Sequence, residues 1–169
     1  RDSLFGGDGA DTLSGGDDDD QLDGGNQNDN LAGGGGADTL DGGNGADRLD
    51  GGLGADTLIG GPGADTFVFS SALGGGNIDS IAVFNLADDL IELDVAIFTG
   101  LGLGALDANA FVIGAAATTA EHRIIYDAVT GALYYDADGD GAGEAVQFAT
   151  LAPGLLGLTH ENFVGGGGP

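Results

Sequence analysis

Aspartate recurs at every ninth position along the first part of the chain: Asp2, Asp11, Asp20, Asp29, Asp38, Asp47, Asp56 and Asp65. Two places after each stands a large apolar residue: Leu4, Leu13, Leu22, Leu31, Leu40, Leu49, Leu58 and Phe67. Counted from Gly6, the rows read GGDGADTLS, GGDDDDQLD, GGNQNDNLA, GGGGADTLD, GGNGADRLD, GGLGADTLI and GGPGADTFV, running to Val68 without an insertion. Paired glycines let the backbone take positive φ and turn carbonyl oxygens toward one point. A carboxylate at fixed phase beside those carbonyls makes an all-oxygen shell, which suits Ca²⁺ with its six to eight ligands. Mg²⁺, with its stricter octahedron and tightly held waters, fits less well.

These ligands need a scaffold that repeats with them. The last three positions of each row read as a short strand whose apolar residue points inward, while neighbours such as Thr12, Gln21, Asn30 and Arg48 face solvent. A single row has no means of burying its leucine, so rows must stack. A flexible linker would have no reason to keep leucine and aspartate at a strict period, which argues against disorder despite 37 glycines.

Charge narrows the function classes. Lys and Arg total 3 against 28 Asp and Glu, for a formal net charge of −25, which repels nucleic acid and anionic lipid and favours metal cations or basic partners. Without cysteine there is neither a disulfide nor a thiolate zinc site, so bound metal must staple the fold. No stretch is apolar enough to span a bilayer and no leader stands at the start. Because Arg1 falls inside a repeat, a longer protein is expected upstream. HExxH and GxSxG motifs are absent, and His122 and His160 read as ordinary histidines, so no catalysis is expected within this chain.

The rows closely resemble the RTX (repeats in toxin) family, whose pattern GGxGxDxUx, with U large and apolar, most of them meet. The resemblance implies an all-β fold: a right-handed parallel β-roll, a solenoid stapled by several Ca²⁺ ions, followed by a β-rich C-terminal capping region. Two rows make one turn, so each row stacks on the row eighteen residues later. The family pattern implies ligands from positions two, four and six of one row and positions one, three and six of the row above. Carried over, five sites result: Gly7, Gly9, Asp11, Gly24, Asn26 and Asp29; Gly16, Asp18, Asp20, Gly33, Gly35 and Asp38; Gly25, Gln27, Asp29, Gly42, Asn44 and Asp47; Gly34, Gly36, Asp38, Gly51, Leu53 and Asp56; Gly43, Gly45, Asp47, Gly60, Pro62 and Asp65. Asp2 belongs to the incomplete first row. Asp18 and Gln27 stand where glycine would take the left-handed conformation at lower cost, which marks the second and third sites as strained.

After Val68 the period breaks. GGGNIDSI reads as a degenerate row, and IDSIAVFNLADDLIELD resembles the family's closing segment, which implies a further site of Gly61, Gly63 and Asp65 with Asp79 and Asp89. Val83 replaces the family's middle aspartate. The apolar residues Ile81, Phe84, Ile91 and Leu93 also read as cover for the end of the roll. Residues 1–68 are thus expected to be the roll, 69–96 a closing segment, and 97–169 a hairpin cap. Within this last part a short helix is expected over Asp107–Phe111, strands in RIIYD and ALYYD about the turn Ala128–Gly131, and a third strand in AVQFATL. Asp136, Asp138 and Asp140 before Gly141 match the first half of an EF-hand loop. Gln147 stands where that loop's bidentate glutamate belongs and the flanks read as strands, so a plain solvated turn stays open beside a calcium loop completed by Glu144.

The resemblance further implies a secreted bacterial protein, exported unfolded by type I secretion machinery and folded outside the cell by Ca²⁺, with a secretion signal near Gln147–Val164. GGGGP replaces the usual apolar end. An adhesive or surface-layer module, and an accessory domain of a secreted protease, lipase or polysaccharide-modifying enzyme, stay open as alternatives.

Overall fold

The computed structural model describes residues 1–167; the last two residues of the GGGGP tail lie outside them. Each repeat strand joins the end of one row to the start of the next: β1 Ser3–Asp8, β2 Thr12–Asp17, β3 Gln21–Asn26, β4 Asn30–Gly35, β5 Thr39–Asn44 and β6 Arg48–Leu53. β7 Thr57–Ile59, β8 Thr66–Phe69, β9 Asp79–Ile81 and β10 Leu90–Asp94 follow. Odd strands pair in parallel in one sheet and even strands in the other. Leu4 lies beside Leu22, Leu22 beside Leu40 and Leu40 beside Leu58, while Leu13, Leu31, Leu49 and Phe67 align in the second sheet. The register is therefore two rows per turn, and the parallel β-roll implied by the family resemblance is the fold observed.

The leucines fill the space between the sheets: Leu31, Leu40, Leu49, Leu58 and Phe67 are fully buried. Leu4 and Leu13, in the first strand of each sheet, are only partly buried. Glycine at position two is required by close packing as well as by φ. At Gly25 φ is +103°, and a Cβ there would collide with the Gly7 carbonyl oxygen of the turn below.

The C-terminal half extends both sheets. It contributes β11 Gly104–Ala105, β12 Phe111–Ile113, β13 Ile124–Tyr126, β14 Ala132–Tyr135, β15 Val146–Thr150 and β16 Phe163–Gly166. β13, β14 and β15 form an antiparallel meander whose last strand lies parallel to β9, while β16 lies parallel to β10. The short helix over Asp107–Phe111 is a 3₁₀ turn, Ala108–Ala110, capped by the Asp107 side chain. Here aromatic rings replace the leucine file: Phe148 packs edge-on against Phe69 at 5.0 Å and Phe98 at 5.1 Å. One apolar cluster runs from Leu22 to Phe163, so roll and C-terminal strands share a core.

Candidate metal centre

Stacking rows at this register puts the position-six aspartates in two files, Asp2–Asp20–Asp38–Asp56–Asp79 and Asp11–Asp29–Asp47–Asp65–Asp89. Within each file one carboxylate oxygen, Oδ1, accepts the main-chain N–H of the aspartate one turn earlier. The distances are 2.7 Å from Asp11 to Asp29, 2.7 Å from Asp20 to Asp38, 2.8 Å from Asp29 to Asp47 and 2.8 Å from Asp38 to Asp56. The other oxygen, Oδ2, is buried without a hydrogen-bond partner in Asp11, Asp20, Asp29, Asp38, Asp47, Asp56 and Asp65. A buried carboxylate oxygen without a partner is costly, and seven repetitions of it fit a fold built around cations.

The surroundings of those oxygens fit the same group. A Cβ placed on Gly6 would lie 2.5 Å from the Gly24 carbonyl oxygen and 2.6 Å from Asp11 Oδ2, and one on Gly24 would meet Gly42 O at 2.6 Å and Asp29 Oδ2 at 2.5 Å. Gly15 faces Asp20 with Gly33 O, Gly33 faces Asp38 with Gly51 O, and Gly42 faces Asp47 with Gly60 O in the same way. Five levels thus bring a carboxylate and a position-one carbonyl together, with side-chain-free glycine leaving the room. Carbonyls at positions two and four point at the next turn: a Cβ on Gly43 would collide with Gly25 O, and one on Gly45 with Gln27 O. Those at position three serve the stack as well, since Asn26 O accepts from Gly9 N at 3.2 Å, Leu53 O from Gly36 N at 2.9 Å and Pro62 O from Gly45 N at 3.1 Å; each retains a second lone pair. Among the described residues no three acidic or histidine side chains converge as a metal cluster. The carboxylates stand in file, so main-chain carbonyls must complete any shell.

Asp18 and Gln27 take the left-handed conformation their position demands, with φ of +77° and +76°. The residue after each offsets part of the strain. Asp19 Oδ1 accepts Ala37 N–H at 3.0 Å and Asn28 Oδ1 accepts Ala46 N–H at 3.0 Å, whereas the other rows carry alanine there. Asn26 and Asn44 add a side-chain ladder, Asn44 Nδ2 donating to Asn26 Oδ1 at 2.9 Å and Asn26 Nδ2 to Asp8 Oδ1 at 2.8 Å.

The closing level differs from the expectation. Asp79 and Asp89 do not meet at one site: Asp56 N–H donates to Asp79 Oδ1 at 3.1 Å in one file, and Asp65 N–H to Asp89 Oδ1 at 3.0 Å in the other. Asp79 therefore lies over Gly52, Gly54 and Asp56, and only Asp89 lies over Gly61, Gly63 and Asp65. The reason is parity: successive rows alternate between the two sides of the roll, so aspartates one strand apart occupy opposite files. Sequence reading missed Gly52, Gly54 and Asn77 at this end; row parity was the signal for the glycines. Asp89 Oδ2 accepts Asn85 N–H at 2.7 Å, so both its oxygens are used.

Burial raises the carboxyl groups of Asp38, Asp47, Asp56 and Asp89 above the ordinary carboxylate range, with neighbouring aspartate charge adding to it and main-chain N–H donors opposing it. The same causes push Asp65 up to about 6 and Asp79 up to about 7. Such groups resist ionisation in the calcium-free fold.

The DADGDG segment is a loop between β14 and β15. Asp136 is buried and its Oδ1 accepts N–H groups of Asp138 at 3.2 Å and Gly139 at 2.9 Å; Asp138 Oδ2 accepts from Gly143 at 3.0 Å, and Asp140 and Glu144 are exposed. Two of its carboxylates thus brace their own loop. His122 Nδ1 accepts Thr118 N–H at 3.1 Å, and His160 lies in a second 3₁₀ turn, His160–Asn162.

A family model described as the RTX calcium-binding nonapeptide repeat (4 copies) matches residues 1–31 and 32–67. The solved solution structure of the AlgE6R3 subunit from the Azotobacter vinelandii mannuronan C5-epimerase is similar, with 29% identity and a TM-score of 0.55 over 90% of this chain and 80% of that one. No curated protein matches the chain. Residues 1–67 are RTX calcium-binding nonapeptide repeats, stacked here as a parallel β-roll.

Proposed function

We propose that this module folds on Ca²⁺ outside the cell and stabilises a larger secreted protein to which it belongs. The observation that carries this is the set of buried, unpartnered Oδ2 atoms of Asp11, Asp20, Asp29, Asp38 and Asp47, each beside a glycine carbonyl of the next turn. Five levels would hold ions through the ligand sets that the family resemblance implies, from Asp11 with Asp29 to Asp47 with Asp65. In calcium-poor surroundings the filed carboxylates repel one another and the chain stays open, suited to export through type I secretion machinery. Ligand binding then supplies folding free energy. In this reading residues 1–68 are the metal-dependent roll, 69–96 close it, and 97–169 cap it and carry the export signal. The likeness to an epimerase subunit favours an enzyme of polysaccharide modification as the neighbour over an adhesin.

Circular dichroism of the isolated chain in chelator, in millimolar Ca²⁺ and in millimolar Mg²⁺ is the test. The expected outcome is little β-structure in chelator, a cooperative gain in Ca²⁺ and a weaker one in Mg²⁺. Identical spectra in all three would remove the folding-switch reading.

A further inference from the structure

The segment between β8 and β9 returns across the row Gly51–Ile59 and meets its loop with three side chains. Ser71 Oγ donates to Gly52 O. Asn77 Oδ1 accepts Gly54 N–H at 2.5 Å, and its Nδ2 donates to Ser71 Oγ and Ala72 O, both at 3.2 Å. Beside them Ser70 Oγ donates to Asp50 Oδ2 at 2.6 Å.

This is where the cradle of the lower levels would be completed by another row. Above Gly7, Gly16, Gly25, Gly34 and Gly43 stands a glycine at positive φ, one turn on: Gly25, Gly34, Gly43, Gly52 and Gly61. Continuing the register of Asp50 beside Val68 by two residues puts Ser70 over Gly52, and Ser70 is not at positive φ. The chain thus leaves the cradle path after Phe69. At Gly51 the nearest atoms around an added Cβ belong to Asp56 alone, with no glycine carbonyl among them, in contrast to Gly6, Gly15, Gly24, Gly33 and Gly42. Asp79 Oδ1 is taken by the Asp56 N–H at 3.1 Å, and Asp56 Oδ2 is buried without the glycine carbonyl that stands beside its counterparts at the lower levels. The oxygen of Gly52, which belongs to position two, is engaged by a hydroxyl donor.

We infer that the level built on Gly52, Gly54 and Asp56 takes no calcium ion and is closed by Ser71 and Asn77 instead. The inference rests on the calcium reading of the five lower levels. One end of one file is then held by the chain's own side chains, giving the ion-dependent levels a neighbour whose geometry does not wait for metal.

The experiment counts bound Ca²⁺ by equilibrium dialysis in the full chain and in Asp79→Asn and Asn77→Ala. Asp79→Asn retains an acceptor for the Asp56 N–H and removes a carboxylate only from this level, so the ion count is expected to stay that of the unmodified chain. Asn77→Ala is expected to raise the calcium midpoint of folding about threefold to tenfold, the scale of a lost hydrogen-bonded brace, with the ion count unchanged. One equivalent fewer in either variant, or an unchanged midpoint in Asn77→Ala, overturns the inference. Should a variant not fold, calcium anomalous scattering from crystals of the unmodified chain decides: no peak at Gly52 O and Asp56 supports it, and a peak there sinks it. An unmodified chain that takes up no Ca²⁺ overturns the calcium reading first, and this inference with it.

Discussion

The main-chain N–H of Asp47 donates to Oδ1 of Asp65 at 3.0 Å, while Oδ1 of Asp47 accepts from Asp29 N–H at 2.8 Å. Asp47 thus ties the turn below to the turn above, and its Oδ2 faces the Gly60 carbonyl. Asp47→Ala leaves a buried N–H without its acceptor, a loss on the order of 1–3 kcal/mol before any effect on metal. It is expected to raise the calcium midpoint at least tenfold. Asp140→Ala, at an exposed loop position, should shift it less than twofold. Calcium titrations of both variants followed by circular dichroism check this; equal shifts would mean that the files are misassigned.

Acidity should partly replace calcium. Burial holds Asp65 at about 6 and Asp79 at about 7 in the calcium-free fold, against about 4 for an unfolded aspartate. Between about pH 4 and 7 the folded chain therefore binds more protons than the unfolded one, and its stability falls as pH rises through that window. In chelator, β-structure is expected to be greatest near pH 4–5 and lost by pH 8. In calcium the dependence reverses in appearance, because protons compete with the ion for the carboxylates, and the midpoint should rise as pH falls below 7. A calcium-free chain equally ordered at pH 5 and pH 8 would refute this.

Arg48 reaches across β8 to Glu92 in a two-pronged ion pair, at 2.5 Å and 3.1 Å, on the outer face of the even sheet. Glu92 raises the Arg48 guanidinium above its ordinary value by accepting these hydrogen bonds. The pair is half-buried, so Arg48→Ala is expected to cost about 1 kcal/mol. Thermal melts of the calcium-loaded chain should show a drop of a few degrees that shrinks at high salt. A melting temperature unmoved by the substitution at low salt would show that the pair contributes nothing.

Gln27→Gly should strengthen the third level. Its φ of +76° is a glycine conformation, and relief of the left-handed strain, about 1 kcal/mol, outweighs the smaller entropic cost of glycine. A calcium midpoint lowered two- to fivefold is expected. Asn28→Ala should act in the opposite sense, since it removes the acceptor for Ala46 N–H. If Gln27→Gly raises the midpoint, the left-handed residue is not strained.

The nonapeptide period by itself determined that rows stack, that their leucines point inward and that carboxylate recurs beside glycine, because each of those features repeats locally; the two-row turn came from the resemblance of the rows to the RTX pattern. Leu49 is fully buried, as its place in the row implies. The closing turn was not legible in the same way. Asp79 and Asp89 sit in one continuous sequence motif, yet insertions change the offset along the files from 18 residues to 23 at Asp56–Asp79 and 24 at Asp65–Asp89. Only tertiary structure decides which side of the roll each then joins. The same holds for Asn77 and Ser71, whose hydrogen bonds to Gly54 and Gly52 depend on a non-repeating loop folding back over the row. Likewise β15 and β16 reach β9 and β10 across long stretches of chain. Their partners are chosen by the two exposed sheet edges and the shared aromatic core, which exist only once the roll is built.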